Sequence, residues 1–287
     1  MLKLLLQLDS SRHPSVFDQV VAYDAGADRI MSQGGVAEGD VRDFVHGCIF
    51  TRSPKDMKNT AIFIGGAEMS AGEKLLTAAT KAFFANFRVS TMLDSNGSNT
   101  TAVAAVVKIT QALGGNVKGR KIVVTAGTGP VGTRAAGLFA KAGADVVITS
   151  RKPEDGERVS DEISKRFGGT VKSVTLRDPS QAAAAIGSAD VLLNAGPAGV
   201  LLVPRAAWAG KVKVVVDLNA LPPLGVEGVE ANDDGQTREG AIAFGALGVG
   251  NFKMKLHKEC IGRLFTRNDL VLDAETIEDV AKEIMAK

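Results

Sequence analysis

The sequence predicts an α/β protein in two parts, an N-terminal α/β domain and a Rossmann-type domain with a doubly wound parallel sheet. Three observations lead there. Apolar runs of strand length alternate with segments of helical period along most of the chain, the pattern of parallel sheets covered on both faces. A β-rich run at 121–126 leads directly into Gly127-Thr128-Gly129-Pro130-Val131-Gly132. A polar cluster, Asp94-Ser-Asn-Gly-Ser-Asn-Thr-Thr101, interrupts the alternation between the two parts.

Taken in order, residues 2–8 form a first strand. Ser15 caps a helix that starts at Val16, because Val16, Phe17, Val20 and Val21 recur at helical spacing. Residues 61–64 are a short apolar run closed by Gly65-Gly66, as a buried strand would be, and 71–84 has helical period before a strand at 88–93. The polar cluster ends in good capping residues and starts a helix at 102–113. The alternation then resumes with a strand at 121–126, a helix at 130–142, a strand at 145–149 and a polar helix at 153–167. Strands at 171–176, 190–194 and 213–218 and a helix at 179–186 complete a nucleotide-binding series. Helices at about 252–265 and 274–285 close the chain. The expected division is 1–112 for the first domain, joined by the C-terminal helices of 252–287, and 113–251 for the Rossmann domain.

Composition narrows the function classes. Of 287 residues, 45% are hydrophobic and 23% charged, which excludes disorder of the low-hydrophobicity kind. A net charge of +2 with scattered Lys and Arg gives no reason to expect nucleic acid or an anionic membrane. No apolar stretch approaches the roughly 18–20 residues of a membrane span, and the opening run lacks a signal-peptide cleavage site, so a cytoplasmic protein is expected. Cys48 and Cys260 belong to no CxxC pair and no metal site is expected.

The glycine loop carries the cofactor reading. In a Rossmann turn the first glycine permits the turn, the second admits a pyrophosphate and the third allows close helix packing. The following helix points its N-terminal N–H groups at the phosphates, and Pro130 suits a first helical turn. The second strand ends in Thr149-Ser150-Arg151-Lys152 rather than in the acidic residue that NAD sites usually carry. A guanidinium there can hold a 2′-phosphate, so NADP is favoured and NAD disfavoured, although Glu154 and Asp155 follow closely. Asn194-Ala195-Gly196 and Asn219 fall after later strands, where open α/β sheets bind ligands. Phe244-Gly-Ala-Leu-Gly-Val-Gly250 reads as a further glycine-rich loop toward the nicotinamide, with simple tight turns as the alternative.

Nucleophilic and metal-assisted chemistry find no motif. There is no G-x-S-x-G elbow and no HExxH, and residues 65–74 do not complete a phosphate loop of the Walker kind. Of three histidines, His46 reads as structural and His13 and His257 remain candidates.

The segments Asp94–Thr101, Thr125–Gly132, Asn219-Ala-Leu-Pro-Pro-Leu-Gly225 and Phe244–Gly250 resemble those of bacterial methylene-tetrahydromethanopterin dehydrogenases. The similarity also takes in Pro14-Ser-Val-Phe-Asp18 and Ala61-Ile-Phe-Ile-Gly-Gly66. It is strongest to the NADP-dependent branch that also accepts methylene-tetrahydrofolate, which serves one-carbon metabolism in methylotrophs. The resemblance implies a pterin-side domain, a Rossmann domain and a homo-oligomer, a trimer among the options. It also implies hydride transfer from the methylene pterin to NADP, a step that moves no proton and needs no tuned general base. On this reading the pterin-side candidates are Phe17, Asp18, Asp94, Asn96, Ser98, Asn99, Lys253 and His257, with Lys255 the candidate catalytic residue. For Asp94–Asn99 a helix-capping role competes, and for Phe17 a packing role. No lysine motif for hydrolysis of the methenyl product is matched, so cyclohydrolase activity is not carried over. Two other readings are an NADP dehydrogenase of the shikimate or amino-acid type, and a non-catalytic NADP-binding sensor.

Overall fold

The computed structural model describes residues 1–286. The chain divides into two compact units, one of Met1–Thr100 with Met254–Lys287 and one of Thr101–Lys253. The first boundary therefore falls at the start of a helix rather than after it at 112. The second falls inside the first of the two C-terminal helices, which begins earlier than its sequence period suggests.

Unit 1 is built from β1 (Leu4–Asp9), α1 (Val16–Asp24), β2 (Arg29–Gln33), α2 (Val41–Ile49), β3 (Thr60–Gly65), α3 (Met69–Lys81) and β4 (Ser90–Leu93). The chain passes into the second unit through α4 (Ser98–Ala112). Unit 2 contains β5 (Lys121–Thr125), α5 (Pro130–Lys141), β6 (Asp145–Ser150), α6 (Pro153–Phe167), β7 (Val171–Thr175) and α7 (Ala182–Ile186). It continues with β8 (Val191–Asn194), α8 (Arg205–Trp208), β9 (Val214–Asp217), β10 (Asp234–Arg238) and β11 (Ala241–Phe244). The helix α9 (Ala246–Arg263) leads back to unit 1, where β12 (Val271–Leu272) and α10 (Ala274–Met285) end the fold. Among the described residues, no helix is long and apolar enough to cross a membrane.

The five-stranded sheet of unit 1 runs β2-β1-β3-β4-β12, every neighbouring pair parallel. Its strand order reverses between β1 and β3, and ligands of open α/β sheets bind at such a switch point, outside the carboxyl ends of the strands. The register there pairs Leu8 with Ile64 and Asp9 with Gly65, so both strands end level. The wholly buried β3 is the hydrophobic centre, and Leu6, Leu8, Ile62, Ile64 and Leu93 pack against residues of α2 and α3. The sequence pattern passed over β2 and α2. β2 is an edge strand with a polar, exposed alternation, and α2 is only nine residues long.

The seven-stranded sheet of unit 2 runs β7-β6-β5-β8-β9-β11-β10. The first six strands are parallel in the 3-2-1-4-5-6 order of dinucleotide-binding folds, and β10 adds an antiparallel edge. Here the switch point lies between β5 and β8. Val123, Leu192, Val215 and Trp208 anchor one core face, with the Trp208 indole donating to Glu227 O at 3.0 Å.

The expected loop at 244–250 is not a loop. Phe244 ends β11, and α9 begins at Ala246. A Cβ on Gly245 would stand 2.0 Å from Glu230 O, and one on Gly248 would stand 2.1 Å from Asp233 O. These glycines let a helix start lie directly against main chain.

Candidate functional site

In unit 2 the glycine loop forms where β5 ends, and its three glycines do different work. A Cβ at Gly127 would meet Ile148 Cβ at 2.5 Å, and one at Gly132 would meet Gly127 Cα at 2.7 Å. Both are therefore required by packing of the loop and α5 against β6. Gly129 differs: its backbone is extended at φ −76° and ψ 166°, and a Cβ there would touch only Ala126 O, at 3.4 Å. Nothing inside the protein needs that side chain to be absent. The missing Cβ leaves room outside the loop, at the N-terminus of the twelve-residue α5, where backbone N–H groups favour a phosphate. The residues present thus fit a dinucleotide. Thr128, Gly129 and Val131 are partly accessible and Pro130 is exposed at the first turn of α5. The loop is tied to β6 by Ala126 N–H donating to Thr149 Oγ1 at 3.0 Å and Gly127 N–H to Thr149 O at 3.0 Å.

At the end of β6, Ser150 folds its hydroxyl back on Lys152, donating to Lys152 O at 2.8 Å, which leaves Arg151 and Lys152 exposed. Sequence reasoning missed Arg177, which follows β7 and donates from Nε to Arg151 O at 3.1 Å. Three cations therefore gather at the ends of two adjacent strands. Two acids, Glu154 and Asp155, lie in the first turn of α6, and Asp155 stands 3.8 Å from Arg158 further along the same helix. Strand adjacency is the signal that could have found Arg177, since β7 pairs with β6 in any fold of this strand order.

Asn194 and Asn219, expected at the cofactor, are both buried and committed to the protein itself. The register sets Thr125, Asn194 and Asp217 level on β5, β8 and β9. Thr125 donates its hydroxyl to Asn194 Oδ1 at 2.6 Å, and Asn194 Nδ2 donates to Asp217 Oδ1 at 2.7 Å. Gly196 N–H also donates to Asn194 Oδ1, at 3.2 Å, so Ala195 and Gly196 leave the strand held by that side chain. Asp217 further accepts from Asn219 N at 3.1 Å and Val226 N at 3.0 Å. Burial raises the Asp217 carboxyl above the usual range, opposed by these donors. Asn219 accepts from Gly199 N and Leu221 N and donates to Pro223 O. These two asparagines shape the loops rather than offering side chains to a ligand.

In unit 1 polar groups collect at the β1/β3 switch point. Asp9, absent from the sequence-level candidates, is buried and holds the β1–α1 connection by accepting from Ser11 N at 2.8 Å and Ser15 N at 3.1 Å. Ser15 caps α1 by accepting from Asp18 N at 3.2 Å. A Cβ on Gly65 would lie 3.1 Å from Asp9 Oδ2 and 3.7 Å from Asp18 Oδ2, so two buried carboxylates flank this glycine. His257 Nε2 lies 4.0 Å from Asp18 Oδ1, and its ring stacks on Phe63 with centroids 5.7 Å apart. Phe17 is 51% exposed with its ring 6.3 Å from that of His257, so it is not a core staple. Phe17 and Asp18 thus come together with His257, which is distant from them in sequence.

The polar cluster after β4 divides. Asp94 spends its carboxylate on the start of α4, accepting from Asn99 N at 2.9 Å, Thr100 N at 3.0 Å and the Thr100 hydroxyl at 2.6 Å. Asn99 donates to Leu93 O at 2.6 Å. Asp94 serves the capping role, and Asn99 ties the helix start back to β4. Asn96 is exposed in the left-handed region at φ 53°, and Ser98 Oγ is buried with no hydrogen-bond partner among the described residues. On α9, Lys253 and His257 are buried one turn apart, whereas Lys255 is exposed. Two residues of helix, about 200°, turn Lys255 away from the face that carries the other two. Among the described residues, no group of His, Cys, Asp and Glu could hold a metal ion. Burial pushes both cysteine thiols up, Cys48 to about 11.

Comparison with known proteins places this geometry. A family model for the N-terminal domain of methylene-tetrahydromethanopterin dehydrogenase matches residues 16–96. The bifunctional protein MdtA of Methylorubrum extorquens is 48% identical over 284 residues, spanning 98% of this chain and 99% of its own length. The NAD(P)-dependent methylenetetrahydromethanopterin dehydrogenase of the same organism is 34% identical, spanning 98% of each chain. Two solved structures share the fold: quinate dehydrogenase from Corynebacterium glutamicum in complex with NAD (TM-score 0.56, 14% identity, 100% and 99% coverage), and shikimate 5-dehydrogenase from Listeria monocytogenes in complex with shikimate and NAD (TM-score 0.54, 16% identity, 99% and 96% coverage).

Two substitutions in the glycine loop should behave differently. Gly129→Ala should leave stability within about 0.5 kcal/mol and weaken dinucleotide binding at least about tenfold. Gly132→Ala should cost about 1–3 kcal/mol of stability by overpacking. Chemical denaturation and equilibrium titration measure both; a Gly129→Ala protein that binds normally would remove the pyrophosphate from that space.

Proposed function

The chain belongs to the methylene-tetrahydromethanopterin dehydrogenase family, and from that premise we propose that it oxidises a methylene-tetrahydropterin to its methenyl form with NADP as hydride acceptor. The observation that carries the reading is Gly129, a glycine with no internal reason to be one, set between two that packing requires. When bound, the dinucleotide supplies the nicotinamide carbon that accepts the hydride. Thr128 to Gly132 with the start of α5 would hold its pyrophosphate, and Arg151, Lys152 and Arg177 would hold the 2′-phosphate.

The pterin is assigned to the carboxyl ends of β1 and β3 in unit 1. Loss of hydride leaves a methenyl carbon whose positive charge is shared by the two flanking nitrogens. Asp18, a buried carboxylate, favours that charge as it develops, because a fixed anion in a water-poor site needs no reorganisation. His257 Nε2 stands 4.0 Å from Asp18 Oδ1, beyond hydrogen-bond reach, with its ring stacked on Phe63. Phe17 offers an exposed aromatic face for a flat heterocycle. The step moves no proton, which suits a site with no paired nucleophile and base.

The direct test mixes the enzyme with NADP and methylene-tetrahydromethanopterin, and separately methylene-tetrahydrofolate, and follows methenyl and NADPH absorbance. Equal formation of both products with either pterin is expected. NADP binding without turnover on either would overturn the assignment. Arg151→Ala should raise the KM for NADP at least about tenfold, from loss of a charge-assisted phosphate contact, with little change for NAD. Equal loss with both coenzymes would remove the 2′-phosphate from Arg151.

A further inference from the structure

Unit 1 carries a concavity that the proposed reaction does not use. It lies between α2, the end of α3 and the turn that follows, with a cavity volume of about 480 Å³. In this βαβ succession α2 and α3 run back from the carboxyl to the amino ends of the strands. Their last turns therefore place the cavity at the opposite end of the sheet from Asp9 and Asp18.

Its walls combine two chemistries. Of the twelve phenylalanines in the chain, Phe50, Phe83, Phe84 and Phe87 gather at this corner. Phe50 is 58% exposed and Phe84 65% exposed. The turn itself holds Phe84 outward: Phe84 N–H donates to Phe87 O at 3.1 Å, Phe87 N–H donates to Phe84 O at 2.8 Å, and Ala85 between them has φ 50°. The Phe50 ring stands 5.9 Å from that of Phe87 and meets the His46 ring edge-on at 5.2 Å. Arg42 and His46, one turn apart on α2, and Lys81 at the end of α3 supply the polar part of the lining, which contains no carboxylate. Neither Arg42 nor Lys81 makes an ion pair among the described residues.

Exposed aromatic groups surrounded by cations of one sign mark a binding surface. A second copy placed face to face on this patch about a two-fold axis would oppose Arg42 and Lys81 to themselves, which disfavours an isologous dimer there. The concavity has the size of a small-molecule pocket, roughly 300–1,000 Å³. Aromatic rings stack on a planar heterocycle, while a guanidinium and an ammonium take up a phosphate. We propose that this corner is an accessory binding site for a small aromatic anion of nucleotide size.

The test titrates adenosine monophosphate into enzyme already saturated with NADP, so that the dinucleotide site is filled, and reads heat and stoichiometry by calorimetry. One adenosine monophosphate per chain with sub-millimolar affinity is expected. Affinity should fall at least about tenfold in the Arg42→Ala/Lys81→Ala double variant and in Phe50→Ala, each removing one recognition element. Adenosine and inorganic phosphate should each bind more weakly than the nucleotide. NADP affinity and the thermal midpoint of the double variant should match the parent, which separates loss of the site from loss of the fold. No saturable binding below about 5 mM, or binding that both variants leave unchanged, would overturn the proposal. Tight capture of a polyglutamate peptide in place of the nucleotide would also overturn it, assigning the corner to an acidic protein partner.

Discussion

One buried row of polar side chains, Thr125, Asn194 and Asp217, determines what the second unit presents at the carboxyl ends of its strands. Strand register sets the three level, and each hydrogen bond in the row is 2.7 Å or shorter. A buried carboxylate is costly unless every oxygen is met by donors, and here the donors come from the loops themselves. Asn219 N and Val226 N close on Asp217, and Gly196 N closes on Asn194. Gly225 can have no side chain, because a Cβ would stand 1.9 Å from Asn194 Nδ2. The connections after β8 and β9 are thus fixed by the same network that joins those strands to β5, whose end launches the glycine loop. The loop itself is tied to β6 through the hydroxyl and carbonyl of Thr149.

The first unit repeats this use of acids as clamps. Asp9 fixes the turn into α1, and Asp94 fixes the start of α4, each through backbone N–H groups that would otherwise be unpaired. Asp18 is turned instead toward His257, with Phe63 behind the imidazole. The division explains how three buried aspartates at one sheet end have different roles. Two hold main chain, and the third shares with Asp9 the space beside Gly65.

Much of this was legible in the sequence because local patterns report local structure. The strand–glycine–helix context of Gly127 to Gly132 identified β5, α5 and β6, and the Ser15 cap and the C-terminal helix at 274–285 followed from helical period. The short polar edge strand β2 was not legible, since exposed strands lack the apolar alternation that marks half-buried ones. Phe244–Gly250 misled for a physical reason: glycines required where a helix start touches main chain look the same in sequence as glycines in a ligand loop. Asn194 and Asn219 stood at the right ends of the right strands, but only the register across β5, β8 and β9 reveals that their side chains are spent inside the protein. Arg177 and Asp9 were hidden for the converse reason, their importance arising from strands that pair across the sheet. Lys255 faces away from Lys253 and His257 on α9, a difference of angle that sequence spacing could have shown.

The central claim is that a hydride passes from the pterin methylene carbon to the dinucleotide without a proton-transfer step. Its most direct test uses methylene pterin deuterated at that carbon, with NADP and enzyme in ordinary water, followed by mass and NMR analysis of the reduced dinucleotide. The account predicts one deuterium per turnover at the nicotinamide ring carbon and none released to solvent. Deuterium lost to water, or NADPH formed without label, would contradict it.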